Sequence, residues 1–73
     1  MKKLSDSVLK KIEKEYPKGT RIRLIRMEDP FAPPPGTEGT VQYVDGIGGI
    51  AVEWDNGSCL GVFYGFDKFE KVL

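Results

Sequence analysis

A chain of 73 residues makes one domain, which buries only about 60% of the surface its unfolded form exposes and leaves little interior for a deep, water-excluding active site. Its 40% hydrophobic and 30% charged residues describe a folded domain and not a disordered tail, its single cysteine excludes an intrachain disulfide, and the absence of histidine removes the commonest general base and metal ligand. The net charge of zero conceals a division: residues 1–26 carry nine Lys or Arg against three acids, whereas residues 27–73 carry two Lys against eight acids.

The opening MKKLSDSVLKK has lysines followed by polar residues instead of an apolar run, so no secretory signal is expected, and no segment approaches membrane-spanning length. With a lone cysteine, this points to a reducing cytoplasm. Leu4, Val8, Ile12 and Tyr16 recur every fourth position with Leu9 beside them, opposite Lys10, Lys11, Glu13 and Lys14. That period predicts an amphipathic helix over residues 1–17, capped by Ser5 or Ser7, with Asp6 set against the dipole and Pro17 and Gly19 ending it. About three turns of helix are marginal alone in water, so the apolar stripe is expected to dock on the rest of the domain.

After Gly19 the period falls from four to two. TRIRLIR places Ile22 and Leu24 on one face and Arg21 and Arg23 on the other, a half-buried strand with a basic outer side. MEDPFAPPPGTEGTV then packs four prolines into residues 30–35. Pro30-Phe31-Ala32-Pro33 is a P-x-x-P string of the polyproline kind that recognition domains read. Between two strands, however, fixed φ angles and missing N–H donors suit a stiff scaffold loop, released by Gly36 and Gly39.

A second strand is expected over Thr40–Val44, with Val41 and Tyr43 facing one way, and DGIGG reads as a turn without the helix N-terminus that a phosphate site needs. Ile50, Val52 and Trp54 face inward on a third strand, with Trp54 as a core anchor. Asp55-Asn56-Gly57-Ser58 predicts a type I′ hairpin turn. A fourth strand follows over Cys59–Tyr64, with Cys59 a small buried or half-buried residue and not a nucleophile. Gly65-Phe66-Asp67 turns the chain, and Phe69–Leu73 supplies a fifth strand. The whole is mainly β: a small five-stranded SH3-like barrel over residues 18–73, preceded by the helix. An OB-type barrel needs a longer chain and an inserted helix.

Three motifs occur together: M-x-D-P-x-x-P-P-x-G-T-x-G-T-V at Met27–Val41, V-x-W-D-N-G-S at Val52–Ser58 and D-x-F-x-K at Asp67–Lys71. In these, residues 18–73 resemble a family of small bacterial and bacteriophage proteins catalogued as a domain of unknown function. The resemblance implies an SH3-like fold, a cytoplasmic setting and an origin in phage or mobile elements of Gram-positive bacteria, and it supplies no activity or site. G-x-x-G-x-V ahead of V-x-W-D-x-G is a looser likeness to SH3-like modules of translation factors and ubiquitin ligases, which bind proteins or nucleic acid.

No catalytic residues, metal site or cofactor are expected: the carboxylates Glu28, Asp29, Asp45, Glu53, Asp55 and Asp67 are scattered and lack the spacing of a calcium loop. The expected function is binding of a protein or peptide in a groove beside the proline loop, lined by Phe31, Pro34, Tyr43, Asp55 and Asn56. The alternative is a nucleic-acid binder using Lys10, Lys14, Arg21, Arg23 and Arg26, with Lys2, Lys3 and Lys11. Against it stand eleven acids and a net charge of zero; in its place the charge blocks could serve as a head-to-tail complement between copies.

Overall fold

A computed structural model describes residues 4–72. The Ser5 hydroxyl accepts the Val8 N–H at 3.4 Å and caps helix α1, Asp6–Glu15, whose first turn carries Asp6 and whose last turn carries Lys14. Five strands follow: β1 (Arg21–Arg26), β2 (Glu38–Val44), β3 (Gly49–Trp54), β4 (Val62–Phe63) and β5 (Lys68–Lys71). They form one antiparallel sheet in the order β4-β3-β2-β1-β5. Among the described residues no ladder joins β4 to β5, so the sheet is open where a closed barrel was expected. Lys2, Lys3 and Leu73, assigned above to the basic set and the last strand, lie outside the described residues.

Alternation decides the core. Ile22 and Leu24 of β1, Val41 of β2, Ile50, Val52 and Trp54 of β3 and Val62 of β4 are all buried, and α1 inserts Ile12 among them. Leu4, Tyr16, Met27, Val44 and Phe69 pack around this cluster. The helix therefore docks on its own domain, where its short length required it to dock. The Trp54 indole N–H donates to the Leu60 carbonyl, which satisfies the one polar atom of the largest buried side chain.

The prolines make turns. In Pro34-Pro35-Gly36-Thr37 the Thr37 N–H donates to the Pro34 carbonyl at 3.1 Å, Pro35 holds the second position and Gly36 takes φ +93° at the third, the arrangement of a type II turn. Pro17-Lys18-Gly19-Thr20 repeats it, with Thr20 N–H on the Pro17 carbonyl and Gly19 at φ +93°. In both, the threonine hydroxyl donates to the same proline carbonyl at 2.6 Å. Two P-x-G-T segments thus punctuate the chain ahead of β1 and β2. Upstream, the Asp29 carboxylate accepts the Phe31 N–H and the Asp29 carbonyl accepts the Ala32 N–H, turning the chain at Pro30. Pro33 is buried, so the loop is tied to the domain and the scaffold reading holds.

Three expectations need correction. First, Tyr43 does not share the face of Val41: the register between β2 and β3 slips between Val41, opposite Val52, and Tyr43, opposite Ala51. This bulge at Gln42 reverses the alternation, turning Val44 toward the core and leaving Tyr43 64% exposed. Second, the β3–β4 turn is not type I′, because only Gly57 has positive φ and Asn56 does not. Gly57 N–H donates to the Trp54 carbonyl and Trp54 N–H to the Ser58 carbonyl, a three-residue loop with glycine in the bulge position. Third, Cys59 is exposed, outside any strand. The indole hydrogen bond holds Leu60 beneath the sheet edge, and Gly61 passes so close to β3 that a Cβ there would lie 2.9 Å from the Ile50 carbonyl oxygen. Pairing resumes only at Val62, opposite Ile50.

Candidate functional site

The basic outer face of β1 is already occupied. Arg21 grips Asp55 with both guanidinium nitrogens, one at 2.8 Å from Oδ1, and the same fork reaches the Thr40 hydroxyl at 2.9 Å and Glu38 at 3.4 Å. The hydrogen bond from Arg21 holds the Asp55 carboxyl below its usual range, and Asp55 in turn raises the guanidinium pKa. Arg23 lies between Glu38 at 3.6 Å and Glu70 at 3.9 Å, and Arg26 contacts Glu28 at 2.6 Å. Folding interleaves the two charge blocks. Lys10 and Lys14 are exposed on α1, which packs on the buried side of the sheet, so they do not join the arginines, which project from its other side.

The residues named for a partner groove are dispersed. Phe31 is 83% exposed in the proline loop and Pro34 is exposed at the first position of its type II turn. Asp55 lies beside Thr40, Gln42, Glu53, Trp54 and Gly57 in a shallow concavity that includes neither Phe31 nor Pro34. Asn56 is exposed at the turn, its carboxamide oxygen accepting the Ser58 N–H. With Asp55 held by Arg21, that turn is stapled to β1.

Tyr43 belongs instead to a different surface. It lines a hollow with Tyr16, Pro17, Lys18 and Gln42, between the end of α1 and the β2 bulge. Tyr16 also borders a second hollow with Ile25, Tyr64, Phe66 and Phe69, which in turn shares Phe66, Asp67 and Lys68 with a third that ends at Arg26 and Glu28. Shared lining residues thus connect a furrow from the β2 bulge, past the helix end, to the foot of the proline loop. Its centre is an aromatic cluster: Tyr16 meets Phe69 edge-on at 5.3 Å and Tyr64 at 6.4 Å between ring centroids, and the Lys71 ammonium sits 5.2 Å above the Tyr16 ring. Burial, with Glu15 and Tyr64 adding to it, raises the Tyr16 hydroxyl pKa, so it remains a neutral donor.

Local features expose these side chains. A bulge between Leu24 and Arg26 leaves Ile25 out of the alternation, and Gly65, at φ +89°, turns the chain between Tyr64 and Phe66. Phe66 is 87% exposed. The Asp67 carboxylate accepts the Phe63 N–H at 2.8 Å and fixes this turn. Tyr16 and Phe69 are half-buried against the core, as the helical stripe and the fifth strand predict, whereas the sequence analysis assigns no surface role to Ile25, Tyr64 and Phe66, which are exposed. The available signal was Tyr64-Gly65-Phe66, since turn tips are ordinarily polar.

The furrow presents rings, hydroxyl donors and mixed charges. Among the described residues no three Cys, Asp or Glu side chains gather as a metal-binding group, and no helix is long and apolar enough to cross a membrane. Fold and surface define a small antiparallel sheet domain with a helix docked on one face and an aromatic furrow. The chain belongs to the family described as domain of unknown function DUF4314, which it matches over residues 5–72. No curated protein and no solved structure matches it.

Proposed function

We propose that this chain is a non-enzymatic binding module that takes an extended peptide or protein segment along the aromatic furrow. The observation that carries the reading is Phe66, 87% exposed at a turn fixed by Asp67 and continuous through shared lining with Tyr64, Phe69, Tyr16 and Tyr43. Exposed apolar rings on rigid elements are what binding surfaces present, because they bury much area with little loss of side-chain entropy. The furrow ends at Arg26 and Glu28, where the chain leaves β1 toward the proline loop.

The strand order and the long β1–β2 connection support an SH3-like reading, with β4 and β5 approaching through the Phe63–Asp67 turn and not through a ladder. A cytoplasmic setting fits an exposed free thiol, and the family resemblance favours a bacterial or phage origin. The nucleic-acid alternative finds less support, since Arg21, Arg23 and Arg26 are each spanned by acids.

Titration of the isotopically labelled protein with a panel of proline- and aliphatic-rich peptides tests the reading. Shifts are expected at Tyr16, Tyr43, Tyr64 and Phe66, and Phe66→Ala should abolish them while keeping the fold. Shifts centred on Arg21 and Arg23, or salt-sensitive binding of single-stranded DNA or RNA at low ionic strength, would overturn it.

A further inference from the structure

Seven of the eight fully buried apolar side chains among the described residues belong to strands, and α1 supplies one, Ile12. Along the rest of the helical stripe, Leu4 and Tyr16 pack partly against the core and Val8 is 39% exposed. We infer that α1 is a lid, hinged between Tyr16 and Pro17, which undocks and unravels as a unit while the sheet stays folded.

The polar bonds follow the same division. The strong ties are internal to the sheet and its loops: Arg21 to Asp55 and Glu38, Arg23 to Glu38 and Glu70, and the Trp54 indole to the Leu60 carbonyl. Among the described residues, no side chain of Asp6–Glu15 forms a hydrogen bond or ion pair with the sheet; the Ser7 hydroxyl meets that of Ser5 at 3.2 Å, within the helix's own first turn. The helix is fastened by the Leu4 N–H on the Gly46 carbonyl at 3.0 Å, by Ile12 at its middle, and by Tyr16 against Phe69 with the Lys71 ammonium above the ring. Ten residues do not persist as a helix in water without docking, so undocking and unravelling are one event. A segment with few buried apolar groups and solvent-facing backbone bonds opens at a lower free energy than the whole molecule.

The hinge is local. Tyr16 has left the helical region, at φ −128° and ψ 63°, and Pro17 brings no N–H with which to extend the helix. From Pro17 onward the chain is held by the sheet: Thr20 N–H donates to the Pro17 carbonyl, Gly19 N–H to the Val41 carbonyl at 2.8 Å and Val41 N–H to the Thr20 carbonyl at 2.9 Å. Opening therefore leaves the P-x-G-T turn on β2 and detaches what precedes it. Tyr16 lines two of the hollows that make the furrow, so the furrow is complete only while the lid is closed. That consequence rests on the furrow being the binding surface; the opening itself does not.

Native-state amide exchange of the full chain over a range of sub-denaturing urea tests the lid. Amides of Leu9–Tyr16 are expected to exchange about tenfold or more faster than the slowest amides of β2 and β3, with a weak dependence on urea because opening bares little surface, whereas the strand amides follow the slope of global unfolding. Gly36→Ala, in the type II turn beyond the other end of β1, should speed the strand amides about tenfold and leave those of α1 unchanged, since that turn is intact whether the lid is open or closed. Helix amides that share the urea slope of the strand amides, or that speed up with them in Gly36→Ala, would overturn the inference and make α1 part of a single cooperative unit. Neither result bears on peptide binding, which the titration above decides separately.

Discussion

Trp54 and Phe31 show how differently two aromatic residues act in a chain this small. Trp54 is 1% exposed and hydrogen-bonded through its indole, so Trp54→Ala should cost about 3–5 kcal/mol, comparable to the whole stability of such a domain, and abolish the cooperative melt. Phe31→Ala should leave the melting temperature where it is. Gly39 is equally constrained for a different reason: an added Cβ would lie 2.7 Å from Val52 Cγ1 and 2.8 Å from the Trp54 ring. Gly39→Ala should therefore destabilise by about 1–3 kcal/mol through overpacking, read by denaturant unfolding. The Arg21–Asp55 grip has a pH signature. Because Asp55 titrates below the ordinary carboxylate range, its contribution is fully present above the unfolded-state value of about 3.9 and is lost as pH falls through the folded value. Thermal melts of the wild type should drop in that acid window. Asp55→Asn should melt lower at neutral pH and show a shallower acid decline.

At the scale of elements, the chain relies on turns with a glycine at positive φ. Gly19 and Gly36 both stand at φ +93° with open space around the missing Cβ, so alanine there meets backbone strain and no clash. Each substitution should cost about 1–2 kcal/mol. Thr20→Val and Thr37→Val, which remove the hydroxyl bonds to Pro17 and Pro34, should each cost less, about 0.5–1.5 kcal/mol. The comparison by equilibrium unfolding separates strain from hydrogen bonding, and equal losses for the two substitution types would contradict the turn assignment. The helix illustrates dependence on context. Ten residues are too few to persist alone, and Ile12 buried against the sheet is what keeps α1 in place. Ile12→Ala should release the helix, lowering stability by about 2–5 kcal/mol and shifting the Tyr16 resonances that border the furrow.

Across the whole molecule, charge and exposure follow from which strands become neighbours. Arg21 finds Asp55 because β2 lies between β1 and β3, placing Thr40 opposite both Arg21 and Glu53. The acids of the later chain thus screen the arginines of the earlier, and a generic DNA or RNA assay should register no salt-sensitive affinity. Local pattern made much of this legible: even-odd alternation in Ile22–Leu24 and Ile50–Trp54, the four-residue helical period, and the glycines and prolines at turns each act within a few residues, where backbone sterics and apolar patterning decide. Two bulges were not legible. The slip at Gln42 falls inside the β2–β3 hairpin and that at Ile25 between β1 and the distant β5, and one such slip carries every following side chain to the other face. That is why Tyr43 faces outward. By itself the sequence determined which residues could be core and where the chain must turn, since those are short-range matters of burial and φ. Only the tertiary structure decided which charges neutralise one another and which rings remain uncovered, because both depend on pairing between segments that the linear order keeps apart.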